Sequence, residues 1–153
     1  MKLLLEINDR VKNKISRKLL NKAAEETLKL GGGFLARKNI FDISVSLANV
    51  GEEEIKKLNR IYRHKNAATD VLSFAEHKNQ KALAAAGSAG WRKKLFLGEL
   101  ILCYNNIKQY SQKNNINSSE ELVRVVSHGL LHLLGFRHGK KMFEIQEEVA
   151  KMI

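Results

Sequence analysis

The sequence predicts an α+β domain in which a four-stranded mixed sheet is packed with helices and a buried central helix carries three histidines. Short segments of alternating apolar and polar residues are confined to the first two thirds of the chain, whereas the stretch from Tyr104 to Ile153 has helical periodicity. Between residues 118 and 134 the apolar positions are too dense for a helix with one wet face. At 153 residues the chain suits a single domain spanning 1–153, able to bury roughly 68–70% of its unfolded surface. No internal repeat or linker divides it.

Taken in order, Leu3 to Ile7 is predicted as the first strand. A helix follows from about Asp9 to Leu30, with Val11, Ile15, Leu19, Ala23 and Leu28 on its inner side, and Gly31, Gly32 and Gly33 end it. Phe41, Ile43, Val45 and Leu47 alternate with polar or small residues, the period of a half-buried strand, and a helix follows from about Glu52 to Tyr62. Val71 to Glu76 and Leu95 to Cys103 are the remaining strands. Within the segment TDVLSF, a period of two sends Asp70, Leu72 and Phe74 to one face and Val71, Ser73 and Ala75 to the other, so only one set can face a site. The connection HKNQKALAAAGSAGWRKK between the last two strands reads as a loop, and its ALAAAG part is open between loop and short helix.

For the central helix, Ser118 with Glu121 reads as a capping box, and Leu122, Val125, Val126, Leu130, Leu133 and Leu134 supply a broad apolar surface. Gly135 stands where a left-handed C-terminal cap is wanted.

The chain has one cysteine, so no intrachain disulfide forms and a reducing compartment is expected; Cys103 lacks a neighbouring motif and is read as core. The opening MKLLLEIND has three consecutive leucines before charge returns, too few for a signal-peptide core or a membrane span, so the protein is expected in the cytoplasm with no membrane partner. Lys and Arg number 27 against 16 Asp and Glu, a net charge of +11 that favours a polyanion. Residues 1 to 40 hold ten basic and four acidic side chains. Lys12, Lys14, Arg17, Lys18 and Lys22 crowd the predicted first helix, and Lys14, Arg17 and Lys18 are candidate RNA contacts.

The segment SHGLLHLLGFRHG, Ser127 to Gly139, concentrates three of the five histidines. His132 follows His128 by four residues, about 40° away around a helix, so both project from one face a turn apart. A reversal at Gly135 brings His138 back to them. Burying several imidazoles with neither partner nor metal costs about 1–3 kcal/mol each, and three neutral nitrogens with an open fourth position are the usual composition of a catalytic zinc site. One zinc ion held by His128, His132 and His138 is therefore expected. His64 and His77 read as surface residues.

The spacing H-x-x-x-H-x-x-G-x-x-H is shared with zinc peptidases, which place a glutamate base after the first histidine where this chain has Gly129. A non-enzymatic RNA-binding assembly factor with structural zinc is a third reading. Such sites are normally closed by four protein ligands, usually including cysteine.

Three segments together resemble the YbeY family, bacterial metal-dependent endoribonucleases of ribosomal RNA maturation. HGLLHLLGFRH resembles the signature H-G-x-L-H-L-x-G-Y-D-H. LNRIYRHKNAATDVLSF, Leu58 to Phe74, resembles L-N-x-x-Y-R…P-T-D-V-L-S-F, and LGELILC, Leu97 to Cys103, resembles L-G-D-I-x-I-S. The resemblance implies an α+β fold, His128, His132 and His138 as metal ligands, and Arg63 beside the site. It further implies RNA as substrate and contact with the small ribosomal subunit and its assembly factors; the oligomeric state stays open. The chain departs from the pattern at Ala68 for proline, Asn66 and Glu99 for aspartates, and Arg137 for the aspartate before the last histidine. In chemical terms, zinc acidifies water and polarises a phosphoryl oxygen, and Arg63 is suited to hold the scissile phosphate. Arg63 and His128 are thus read as catalytic, with Ser73 a candidate substrate contact.

Overall fold

Alternation along the early segments produces the expected sheet, because residues at a spacing of two share the face turned to the helices. A computed structural model describes residues 1–12, 15–38, 40, 42–87 and 94–153. Its strands are β1 (Lys2–Asp9), β2 (Asp42–Asn49), β3 (Val71–Ala75) and β4 (Lys94–Leu102), and its helices are α1 (Arg17–Gly31), α2 (Gly33–Ala36), α3 (Glu52–Arg63), α4 (Gln80–Gly87), α5 (Tyr104–Lys113), α6 (Ser118–Leu133) and α7 (Lys140–Lys151). The sheet order is β1-β2-β4-β3, with β1, β2 and β4 parallel and β3 antiparallel to β4. The sheet is mixed.

Helix α6 is the centre of the packing, lying against α1, α5, α7, β3 and β4. Leu122, Val126, Leu131 and Leu133 are almost wholly buried, as are Leu20 and Ala24 of α1 and Leu47 and Leu100 of the sheet. A second, smaller cluster joins Ile55 of α3 to Ala48, Val50, Leu72 and Cys103, which places the one cysteine in the core. Among the described residues no helix is long and apolar enough to cross a membrane.

Two boundaries differ from expectation. The first helix starts at Arg17, not Asp9, because the Asp9 carboxylate is engaged elsewhere: Oδ2 accepts from the Ile15 N–H at 3.0 Å and Oδ1 from the Asn49 side chain at 2.9 Å. Ser16 caps α1 instead, its Oγ accepting from the Leu19 N–H at 3.2 Å. Lys12 and Val11 therefore precede the helix, and its buried stripe is Leu20, Ala23, Ala24, Thr27 and Leu28. The cap of α6 is Asn117 and not Ser118: Asn117 Oδ1 accepts from the N–H groups of Ser119 and Glu120 at 2.9 and 3.1 Å, and Ser118 is the first helical residue. The ALAAAG stretch is helical, α4, anchored by the fully buried Leu83. Lys14, Phe41 and residues 88–93 lie outside the described residues.

One glycine fixes the relation of β3 to β4. The β2–β4 register shifts between Ser44 and Val45, and Gly98 beside that bulge has φ +135°. A Cβ there would overlap the Phe74 carbonyl oxygen, so the close approach of β3 requires glycine.

Candidate metal centre and substrate cleft

His128 and His132 project from the last turns of α6, and the chain reverses immediately after them. Gly135 takes φ +83°, its N–H bonding to the His132 carbonyl at 3.0 Å and the Phe136 N–H to the Leu131 carbonyl at 2.9 Å. This is the Schellman arrangement that a left-handed glycine permits, and it delivers His138 to the other two rings. The three Nε2 atoms lie 3.1 Å (His128–His132), 3.1 Å (His132–His138) and 3.3 Å (His128–His138) apart. Tetrahedral bonds of about 2.0–2.1 Å, as zinc makes to imidazole, separate two ligand nitrogens by about 3.3–3.4 Å. The triangle has the size of one coordination sphere.

The other ring nitrogens fix which atom carries the lone pair. His132 Nδ1 lies 3.2 Å from the Phe136 carbonyl, and His128 Nδ1 lies 3.0 Å from Gln146 Oε1 on α7. Both partners are acceptors, so each Nδ1–H donates and each Nε2 is left as a lone pair facing the centre. Burial lowers the pKa of His128, opposed by the Gln146 hydrogen bond. It also lowers that of His132, with the neighbouring His128 ring adding to the effect. Neutral imidazoles with inward lone pairs are the donor chemistry a divalent metal ion needs, and these three residues form a group able to hold one.

The histidines close one end of a cleft of about 500 Å³, walled by α3 and β3 and the segment between them. Arg63, the last residue of α3, lines it. Arg63 Nη2 donates to the Ser73 carbonyl at 2.8 Å, Nη1 to the Tyr62 carbonyl at 3.4 Å, and the guanidinium lies 5.0 Å from the centroid of the Phe74 ring. Among the described residues no carboxylate pairs with it. Its charge is aimed and unneutralised, and Lys65 shares the cleft.

Of the two faces of β3, the Val71 and Ser73 side meets α6, while Leu72 packs under α3. A Cβ on Gly129 would lie 2.8 Å from Leu100 Cδ2, 3.2 Å from Ser73 Oγ and 3.3 Å from Val71 Cγ2, so this glycine is what lets α6 seat against the sheet. Asp70 turns away and accepts from the Asn106 side chain at 2.6 Å. His64 is the exposed left-handed cap of α3 with φ 58°, and neither it nor His77 joins the histidine group. Arg17 and Lys18 lie elsewhere. The neighbouring Leu19 shares a groove with Asn117, Ser119 and Val123 at the start of α6, and nine residues of helix from Ser119 to His128 rise about 14 Å.

Gln146 went unnoticed in the sequence. It falls four residues after Met142 and three before Val149, inside the buried stripe of α7, and an amide in an apolar stripe is the signal that marks it.

The family model described as Endoribonuclease YbeY matches residues 6–153. An Endoribonuclease YbeY from Thermodesulfovibrio yellowstonii is 35% identical over 120 residues, 73% of this chain and 68% of that protein. One from Persephonella marina is 29% identical over 155 residues, covering 97% and 88%. The solution structure of a Thermotoga maritima protein superposes with a TM-score of 0.61 at 27% identity, covering 97% of this chain and 87% of that one.

Proposed function

The chain belongs to the YbeY endoribonuclease family, and from that premise we propose that it is a zinc-dependent endoribonuclease hydrolysing phosphodiester bonds in single-stranded RNA. One observation carries the reading: three converging imidazole Nε2 atoms lie at a cleft whose wall presents an arginine with no carboxylate partner among the described residues. His128, His132 and His138 would hold the ion. When bound, zinc supplies Lewis acidity that polarises a phosphoryl oxygen and acidifies water.

The remaining work falls to the chain's own groups. With one edge of its guanidinium held by the Ser73 carbonyl, Arg63 keeps N–H donors free for a phosphate oxygen and stabilises the charge that develops as the bond breaks. Ser73 contributes by aiming Arg63 through its carbonyl, and Lys65 adds a second cation to the wall. His128 acts in the reaction as a ligand, kept in the right tautomer by Gln146. Lys14, Arg17 and Lys18 would meet RNA beyond the nucleotides held in the cleft, supplying sequence-independent attraction. Their replacement by Ala should flatten the salt dependence of RNA binding.

A peptidase is disfavoured at Gly129, which supplies no carboxylate base and where a Cβ would already crowd Leu100, Ser73 and Val71. In the cell we place the activity in the cytoplasm, in maturation of the 3′ end of the small-subunit ribosomal RNA and in ribosome quality control, with the small subunit and its assembly factors as partners. The support is family membership and the +11 charge. Purified zinc-loaded protein should cut single-stranded RNA and spare both duplex RNA and casein, and His132→Ala should lose both zinc and cleavage. Full zinc occupancy or wild-type cutting in that variant would overturn the assignment.

A further inference from the structure

Phe143 stands in the first turn of α7 with 46% of its surface exposed, although the core-facing stripe of that helix is formed by Met142, Ile145, Val149 and Ala150. An isolated exposed aromatic is ordinary on a protein surface. This one borders the metal centre. Its ring centroid is 6.2 Å from that of His138, with the two planes within 11° of parallel, and 6.3 Å from that of His128. A phosphate at the three Nε2 atoms would therefore bring the attached nucleotide within reach of the Phe143 ring.

The charge around it points to the same occupant. Arg137, Lys140 and Lys141 are exposed on the segment that leads into Phe143, with the Lys141 ammonium over the Phe136 ring, and the only acid among the described residues that pairs with any of them is Glu144, 3.8 Å from Lys140 on an open surface, a contact of little energetic weight. An exposed ring set among cations that are at most weakly paired suits single-stranded nucleic acid: bases stack on the ring while the backbone follows the positive charge. A duplex keeps its base faces inside its own stack and cannot offer one without unpairing.

We propose that Phe143 is a base-stacking residue, receiving the nucleobase next to the scissile phosphate and thereby selecting single-stranded RNA. This rests on the RNA-hydrolysis reading of the histidine cleft. Arg63 borders that cleft from α3 and Phe143 borders the same histidines from α7, so the substrate would be held by phosphate on one side and by base on the other.

The test is steady-state cleavage of a short single-stranded RNA by the zinc-loaded wild-type protein and by Phe143→Ala, Phe143→Leu and Phe143→Tyr, with and without an abasic nucleotide beside the cut bond. Phe143→Ala should raise KM by about 5- to 150-fold, the range measured for a lost base–aromatic stack, with kcat nearly unchanged. Phe143→Tyr should restore KM and Phe143→Leu should not. On abasic RNA the wild type should show the same penalty and the difference between wild type and Phe143→Ala should vanish. The cobalt-substituted absorption spectrum should be identical in all four proteins. The proposal is overturned if Phe143→Leu matches wild type, if Phe143→Ala leaves KM unchanged, or if its defect persists undiminished on abasic RNA. Failure of the wild type itself to cut RNA would instead sink the underlying reading.

Discussion

Replacing Gln146 with Ala should weaken zinc binding by about 10- to 100-fold. The hydrogen bond from His128 Nδ1 to Gln146 Oε1 is 3.0 Å long and half-buried, a neutral pair contributing about 0.5–1.5 kcal/mol. Its loss also releases the tautomer, because nothing then favours the proton on Nδ1 over Nε2, and it frees a ring stacked 5.2 Å from His138. The 10- to 100-fold range corresponds to about 1.4–2.8 kcal/mol, of which the hydrogen bond supplies about 0.5–1.5 and the lost orientation the rest. Removing the acceptor also lowers the proton affinity of His128. At pH 7.5 a ring whose pKa is already below the usual 6.5 is neutral in either case, so proton competition does not offset the loss. Gln146→Glu keeps the acceptor and should bind at least as tightly as wild type. Competition against a chromophoric chelator gives the affinities, and thermal unfolding in excess chelator checks that the fold is unchanged. His132 should be insensitive, since a backbone carbonyl orients it. An affinity for Gln146→Ala within about twofold of wild type would refute the reasoning, as would a Gln146→Glu variant as weak as Gln146→Ala.

Arg63→Ala should bind zinc normally yet cleave RNA about 10²- to 10³-fold more slowly in single-turnover assays, and Arg63→Lys should recover only part of this, since one ammonium cannot hold the Ser73 carbonyl and grip a phosphate bidentately. Gly129→Ala places a Cβ 2.8 Å from Leu100 Cδ2; overpacking of about 1–3 kcal/mol outweighs the gain of up to about 1 kcal/mol in helix propensity, so the urea midpoint should fall. The metal-free protein should lose stability as pH drops below about 6.5, because burial lowers the pKa of His128 and His132 and the unfolded chain then takes up protons that the folded one refuses. The loss should level off below the folded-state pKa values, and bound zinc should extend it to lower pH while leaving its onset, which the unfolded chain sets, in place; urea titrations from pH 8 to 5 that give a flat profile would contradict this.

The histidine triangle was legible because each part depends on local rules: a four-residue step returns to one helix face, and glycine at 135 permits the reversal. Helix starts were less so, and the two misplaced caps share a cause. Asp9 and Ser16 are both competent N-caps, as are Asn117 and Ser118, and the choice at Asp9 was made by Asn49, forty residues away in sequence. The face of β3 was undecidable from its period and was settled by α6, which seats at Gly129 against Ser73 and Val71. Gln146 was hidden for the same reason. Its partner lies on another helix, and only the docking of α7 on α6 makes an amide there meaningful.

Position 137 separates the orientation of the ligands from the charge around them. Where the family signature has aspartate this chain has Arg137, exposed one residue before His138. Two of the three histidines are oriented by Gln146 and by the Phe136 carbonyl, neither of which involves residue 137, so the substitution leaves that part of the site intact. What it changes is electrostatic. Exchanging one negative for one positive charge alters the local field by two unit charges, each worth about 0.5 kcal/mol on a phosphate charge about 8 Å away in water, before screening that is strong at physiological salt. Arg137→Asp should therefore weaken RNA binding by about two- to fivefold at low salt, converge on wild type at high salt, and leave zinc stoichiometry at wild-type level by elemental analysis. Loss of zinc from that variant would mean that ligand orientation passes through residue 137 after all.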